Sequence, residues 1–276
     1  MQSVDTTNEL CYKKGREIVA HYTMMHDILA RNVLKDNECA EVVLRVITNK
    51  PDLRVLVSNT QVDLKNLWGR SCVLDCLAED SDGTVYNIEI QQDNAGALPR
   101  RARYHAGLVD MHKLKESQNF DRLPESLIIF VTRNDVLGKG LPIYHIERRI
   151  DENGESFGDG SHIIYVTASH YGTDELGKLM HDFQCTNPDD MYNSTLAKRV
   201  RFYKKEEGVK VMCSELERIR DEGIEQGIEQ GIEQGKKEIV GNLVSNTDFT
   251  VAQIAKIVAL DEKIVAQWID EISTES

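Results

Sequence analysis

No run of apolar residues is long enough to cross a bilayer, and the first residues lack the basic-then-apolar layout of a signal peptide. A cytoplasmic protein with no membrane contact is therefore expected. The six cysteines, at positions 11, 39, 72, 76, 185 and 213, contain no C-x-x-C pair. That argues against a zinc site or a disulfide framework and leaves reduced, mostly buried thiols. The eight histidines show neither H-x-x-x-H nor H-E-x-x-H spacing, which removes support for a histidine-built metal site. Also missing are G-x-S-x-G and a glycine-rich phosphate loop, so serine hydrolases and nucleotide-binding folds lose support. Positive charge is in deficit, with 33 Lys+Arg against 46 Asp+Glu and a formal net charge of -13. A protein that coats nucleic acid nonspecifically draws most of its affinity from Lys and Arg, so this balance argues against one.

What is present is a pair of strand-like runs, 73–78 and 85–91, joined across Ser81-Asp82-Gly83. Side chains alternate along a strand, so Asp75 shares a face with Val73 and Leu77, and Glu89 shares one with Asn87 and Gln91. A three-residue loop with Gly83 in the left-handed conformation sets Asp80 opposite Thr84. Counting back places Asp75 across from Glu89, and stacks Leu74, Cys76 and Ala78 beside Tyr86, Ile88 and Ile90 on a buried face. A slip of one residue would spoil both sets. Two opposed carboxylates repel unless something positive lies between them. A divalent cation is the simplest answer, Mg2+ or Mn2+, with the main-chain carbonyl of Ile90 as a third protein ligand. The alternative is a solvated hairpin with ordinary surface acids.

Asp75, Glu89-Ile90-Gln91 and a helix opening Pro99-Arg100-Arg101-Ala102-Arg103-Tyr104 resemble the PD-(D/E)xK nuclease superfamily. More narrowly they look like its recombination-promoting nuclease (Rpn) and transposase-like branch, whose members also end in repetitive Gly-Ile-Glu-Gln tails. The resemblance runs from about residue 24 to the tail and is densest between Arg70 and Tyr104. It implies an α/β (α+β) fold, a PD-(D/E)xK restriction-endonuclease-like core of αβββαβ order with a mixed sheet flanked by helices and a C-terminal helical tail. It further implies a catalytic Asp75, a second metal-binding acid in Glu89, and Gln91 at the position the superfamily gives to Lys. Gln cannot supply the charge of Lys, but it can hydrogen-bond and orient a water. DNA is the implied partner and Mg2+ or Mn2+ the implied cofactor.

Local basic patches soften the objection from net charge. Arg100, Arg101, Arg103, Lys113 and Lys115 lie on one expected helix after the second acid, and Lys198, Arg199, Arg201, Lys204 and Lys205 form another cluster. Arg100 and Tyr104 are one helical turn apart and aim at the metal site. Arg100, with Arg101 as the weaker candidate, and Tyr104 are thus the candidates for holding the scissile phosphate. The second cluster reads equally well as a solvated helix face with apolar stems packed inward. Asp27 lies on the first helix, where family members sometimes place another acid, but a surface role suits it better; His105 and His112, seven apart on the Arg helix, could reach a phosphate but read better as satisfied or solvated.

Apolar spacing predicts helices over 18–34 and 40–47, a short strand over 53–57, and a central strand over 127–132 buried on both faces. Residues 143–150 and 162–167 read as a hairpin, and helices from 173 to 184 and from 194 onward close the domain. A nuclease-like domain is assigned to 1–205, a helical Gly-Ile-Glu-Gln repeat linker to 206–247 and a small helix-turn-helix-like tail to 248–276. Glycine at every fourth position makes the repeat a marginal helix, read as a semi-flexible spacer, with self-association through the C-terminal helices as the alternative. The tail carries Thr250 and Asp261 as N-caps and turns at Ala259-Leu260; with Lys263 alone among basic residues on its second helix, contact with protein suits it as well as contact with DNA.

The expected activity is a metal-dependent DNA endonuclease hydrolysing phosphodiester bonds. The alternatives are a catalytically weak or inactive relative that binds DNA or protein, and a retaining glycosidase, whose opposed carboxylates would stand about 5 Å apart. The last lacks nearby Trp and Tyr platforms, since Tyr86 falls on the opposite face.

Overall fold

A computed structural model describes residues 13–66 and 69–275. Cys11 lies outside them. The chain divides into Met1–Cys213 and Ser214–Ser276.

The first unit is built on a six-stranded mixed sheet in the order β1-β2-β3-β4-β6-β5. Its strands are β1 (Val55–Leu64), β2 (Cys72–Asp80), β3 (Val85–Gln91), β4 (Ser126–Thr132), β5 (Ile143–Ile146) and β6 (Ser161–Thr167). β1, β2 and β3 run antiparallel as a meander, β3 and β4 pair in parallel, β4 and β6 likewise, and β5 returns antiparallel on β6. A parallel partner needs a crossover, and α3 (Pro99–Lys113) supplies it between β3 and β4. Proline at its first position presets the backbone angle where no N–H partner is required.

The expected hairpin register is the observed one. Cys76 pairs with Ile88 and Ala78 with Tyr86, Asp80 N–H donates to the Thr84 carbonyl, and Gly83 has φ +83°. Asp80 is itself buried. Its carboxylate accepts from the N–H groups of Asp82 and Thr84 and from the Tyr86 hydroxyl, locking the turn from inside.

Helices cover both faces. Ser58 on β1 donates to the carbonyl of Leu34 and touches the Cys76 thiol, which places α1 (Asp27–Leu34) on the face of Cys76. α2 (Asn37–Thr48) packs on β1 beside it, begun by the Asp36 carboxylate, which accepts from Glu38 and Cys39 N–H. On the other face Ala102, Ala106 and Val109 of α3 meet Val85, Ile128, Phe130 and Tyr165. β4 is buried along its whole length, as a central strand should be. α4 (Glu175–Gln184) and α5 (Ser194–Lys204) complete the unit. The buried Asp182 fastens the segment between them by accepting from Tyr192 and Asn193 N–H, both at 2.8 Å.

Three expectations are corrected. The helix expected over 18–34 is interrupted: residues 13–20 are helical, and α1 begins only at Asp27. Between them the Met25 N–H donates to the carbonyl of Phe183 and the His26 ring accepts from the Thr23 N–H, contacts that hold a turn the periodicity does not announce. β1 is ten residues long and not a short strand over 53–57; its polar outer residues hide an edge strand. Lys115 falls beyond α3, and Lys113 is held by Glu79 at 2.7 Å.

In the second unit the Gly-Ile-Glu-Gln repeat lies in α6 (Glu206–Asn246), followed by α7 (Val251–Val258) and α8 (Glu262–Glu275). Thr250 forms a capping box with Gln253, the Asp261 carboxylate accepts from Lys263 N–H, and Ala259 turns the chain at φ 53°. Val240, Ile254, Ala255, Val258, Val265 and Trp268 make a small core. Among the described residues no helix is long and apolar enough to cross a membrane.

Candidate functional site

Asp75 and Glu89 project from adjacent strands toward α3, and the backbone of each strand holds the acid of the other. Ile90 N–H donates to Asp75 Oδ2 at 2.9 Å, and Asp75 N–H donates to Glu89 Oε1 at 3.3 Å. One oxygen of each carboxylate is thereby fixed. Glu89 is completely buried, and its Oε2 accepts no hydrogen bond. The nearest cation is the Arg101 guanidinium, whose NH2 nitrogen lies 3.5 Å from Oε2. A buried acceptor without a hydrogen bond is expensive in an ordinary core.

Burial pushes the Glu89 carboxyl well above the usual range, with the Asp75 charge adding to it. Asp75 is raised as well, by burial first and by the charge of Asp27, against the opposing pull of the Ile90 N–H, Arg101 and Arg31. Asp27 and its ion-pair partner Arg31, 3.4 Å apart, therefore act electrostatically on Asp75. Neither acid ionises readily beside the other. The pair calls for a proton or a cation.

The Gln91 carbonyl accepts from Arg133 N–H on the β4 side. By strand alternation the polar groups of Ile90 face β2, where its N–H meets Asp75. Its carbonyl thus lies on the side of the two acids. The half-buried Gln91 side chain turns to the short 3-10 turn Asn94–Ala97 and packs so closely on Gly96 that a Cβ there would overlap its carboxamide oxygen.

Of the three proposed phosphate contacts, Arg101 alone stands against Glu89. Arg100 is exposed. Tyr104 donates to the carbonyl of Arg70 and accepts from Asn66 Nδ2 at 3.2 Å. Tyr104 is thus tied to Arg70 and Asn66, between β1 and β2, whereas Arg101 and His105 meet Glu89. In the second basic cluster, Arg199 lies over the rings of Phe202 and Tyr203 and pairs with Asp36 at 3.9 Å. Arg201 pairs with Asp189, and Lys204 donates to the carbonyls of Ala20 and Thr186.

His105, expected to be satisfied or solvated, is satisfied, and its place beside Glu89 is what the sequence reading did not give. Its ring is fully buried, 3.6 Å from Glu89 Oε1, 3.2 Å from Asn87 Nδ2 and 3.2 Å from Arg101 Nε. Burial, aided by the Arg101 charge, lowers its pKa to about 4 and keeps it neutral. A signal existed: His105 shares the buried stripe of Ala102, Ala106 and Val109, and Asn87 interrupts an otherwise apolar strand on the same face as Glu89.

The donor set fits a hard cation. Two carboxylates with one oxygen each left open and a carbonyl on the same side are oxygen ligands of the kind Mg2+ and Mn2+ take, the balance being water. Among the described residues no group of three or more His, Cys, Asp or Glu side chains gathers as a self-sufficient metal cage. Among the described cysteines Cys39, Cys72, Cys76 and Cys185 are free thiols, and Cys39, Cys76 and Cys213 are buried. No family model matches the chain, and neither a curated protein nor a solved structure does.

Proposed function

We propose that the chain is a metal-dependent DNA endonuclease of the PD-(D/E)xK type, in its Rpn-like branch, hydrolysing phosphodiester bonds. The observation that carries this reading is the fully buried Oε2 of Glu89 beside Asp75, which accepts no hydrogen bond and has the Arg101 guanidinium 3.5 Å away. A structural acid would be expected to have a proton donor there, while a metal ligand is left with an open lone pair.

Asp75, Glu89 and the Ile90 carbonyl would hold Mg2+ or Mn2+, which when bound makes water acidic enough to attack at neutral pH. Gln91 can accept from and donate to such a water, but it cannot ionise. Arg101 is the side chain best placed to meet a phosphate oxygen and its developing charge, because its guanidinium already reaches Glu89. Arg100 would serve the approach of the DNA backbone from the exposed side of α3.

Cleavage of supercoiled plasmid with Mg2+, Mn2+ and EDTA tests the reading. Metal-dependent nicking that is lost in Asp75→Ala supports it; equal cutting by Asp75→Ala overturns the mechanism. One observation favours a second reading, a weak or inactive relative that binds DNA or protein: Gln91 is uncharged and packed on Gly96. Retained DNA binding with no cutting under either metal would select it.

A further inference from the structure

Glu89 must present Oε2 while Oε1 is held, and the Asp75 N–H at 3.3 Å is a weak hold by itself. A second group faces Oε1 from α3. Arginine only donates hydrogen bonds, so the 3.2 Å contact from Arg101 Nε makes His105 Nε2 an acceptor. A neutral ring with a bare Nε2 carries its proton on Nδ1. That nitrogen lies 3.6 Å from Glu89 Oε1.

The Asn87 amide agrees with this tautomer after a half turn. With Nδ2 toward the ring, two donors would face each other across 3.2 Å, and Oδ1 would remain buried without a partner. The two ends of a carboxamide exchange by rotation about χ2, so Oδ1 can take the ring-facing place. The orphaned oxygen then accepts from Nδ1–H. Two buried polar atoms lacked partners on this strand face, Asn87 Oδ1 and Glu89 Oε2. The tautomer satisfies the first and leaves only the second open.

We infer that His105 is a positioning residue, held by Arg101 as the Nδ1–H tautomer, which turns its N–H edge toward Glu89 Oε1 so that Oε2 is the oxygen offered to a cation. This deepens the proposed function and rests on its reading of Glu89 as a ligand. His105 touches no substrate in this role; it acts through Glu89. Groups in this relation to a metal ligand commonly change affinity 10- to 100-fold.

The test uses the full chain. In metal-free protein labelled with 15N-histidine, the resonances absent from a His105→Asn sample identify the ring. A protonated Nδ1 with a bare Nε2 is the expected form; Nε2–H or a doubly protonated ring overturns the inference. Calorimetric titration with Mn2+ supplies the second arm. His105→Leu, which keeps bulk but removes the donor, should weaken Mn2+ binding about 10-fold or more. His105→Asn, whose Nδ2–H falls near the place of Nδ1–H, should recover most of that loss; recovery no better than Leu overturns the positioning role. Wild-type protein that takes up no Mn2+ overturns the metal reading, and the tautomer spectrum then still decides the His105 assignment.

Discussion

Asp75 and Glu89 are acids in surroundings that disfavour carboxylates, and the consequence reaches stability before it reaches catalysis. Both pKa values are raised above those of the unfolded chain, by burial first. The folded protein thus binds more protons than the unfolded one once pH passes the ordinary carboxylate range near ~4, and stability falls as pH rises from there toward neutrality. Each unit of displacement is worth about 1.4 kcal/mol. Melting of metal-free protein between pH 5 and 8 should show this decline, and Mn2+ should reverse it; a flat profile would contradict the assigned pair. Asp75→Asn keeps an acceptor for the Ile90 N–H and removes one charge. It should raise metal-free stability at pH 7.5 by on the order of 1 kcal/mol while abolishing Mn2+ uptake, stability and binding moving in opposite directions. The acids were legible from alternation and turn chemistry alone. Their supports were not, because Arg101 and Arg100 are equivalent in composition and only the docking of α3 on the sheet chooses between them.

The hairpin of β2 and β3 is the element on which the site depends, and its geometry was readable because a single glycine and the side-chain period of two set the register. Gly83 at φ +83° has nothing within 4 Å of a would-be Cβ, so Gly83→Ala should cost only the strain of the left-handed backbone, about 1 kcal/mol by denaturant unfolding. The turn after β3 is different. Gly96→Ala would drive its methyl group into the Gln91 carboxamide, a movable end. Its effect should fall on plasmid nicking, down to the level of Gln91→Ala, with little change in melting; nicking that stays at the wild-type level would remove Gln91 from the chemistry. Elements defined by distant partners were the ones misread. The break before α1 is held by the Phe183 carbonyl, and β1 is held by its pairing with β2, neither of which leaves a local periodicity. The glycine repeat lies in helix despite its weak propensity.

For the molecule as a whole, the two units have separate apolar cores. Trp268→Ala removes the largest side chain from the smaller one, a loss of about 3 kcal/mol or more where Trp is well buried. Far-UV circular dichroism should then report early loss of tail helix, while the transition of the sheet unit and the Mn2+ affinity stay in place; loss of both together would show one cooperative body. The sheet also has a history written into its connections. Asp75 and Glu89 are 14 residues apart and meet in a hairpin, a contact that forms in about 1–10 μs. The parallel pairing of β3 with β4 must wait for the α3 crossover, a slower and less local event. The acids therefore come together while water still surrounds them, and their repulsion becomes severe only when α3 lands and strips that water away. Refolding of the metal-free chain should slow with rising pH at this late step, and Mn2+ supplied from the start should remove the delay.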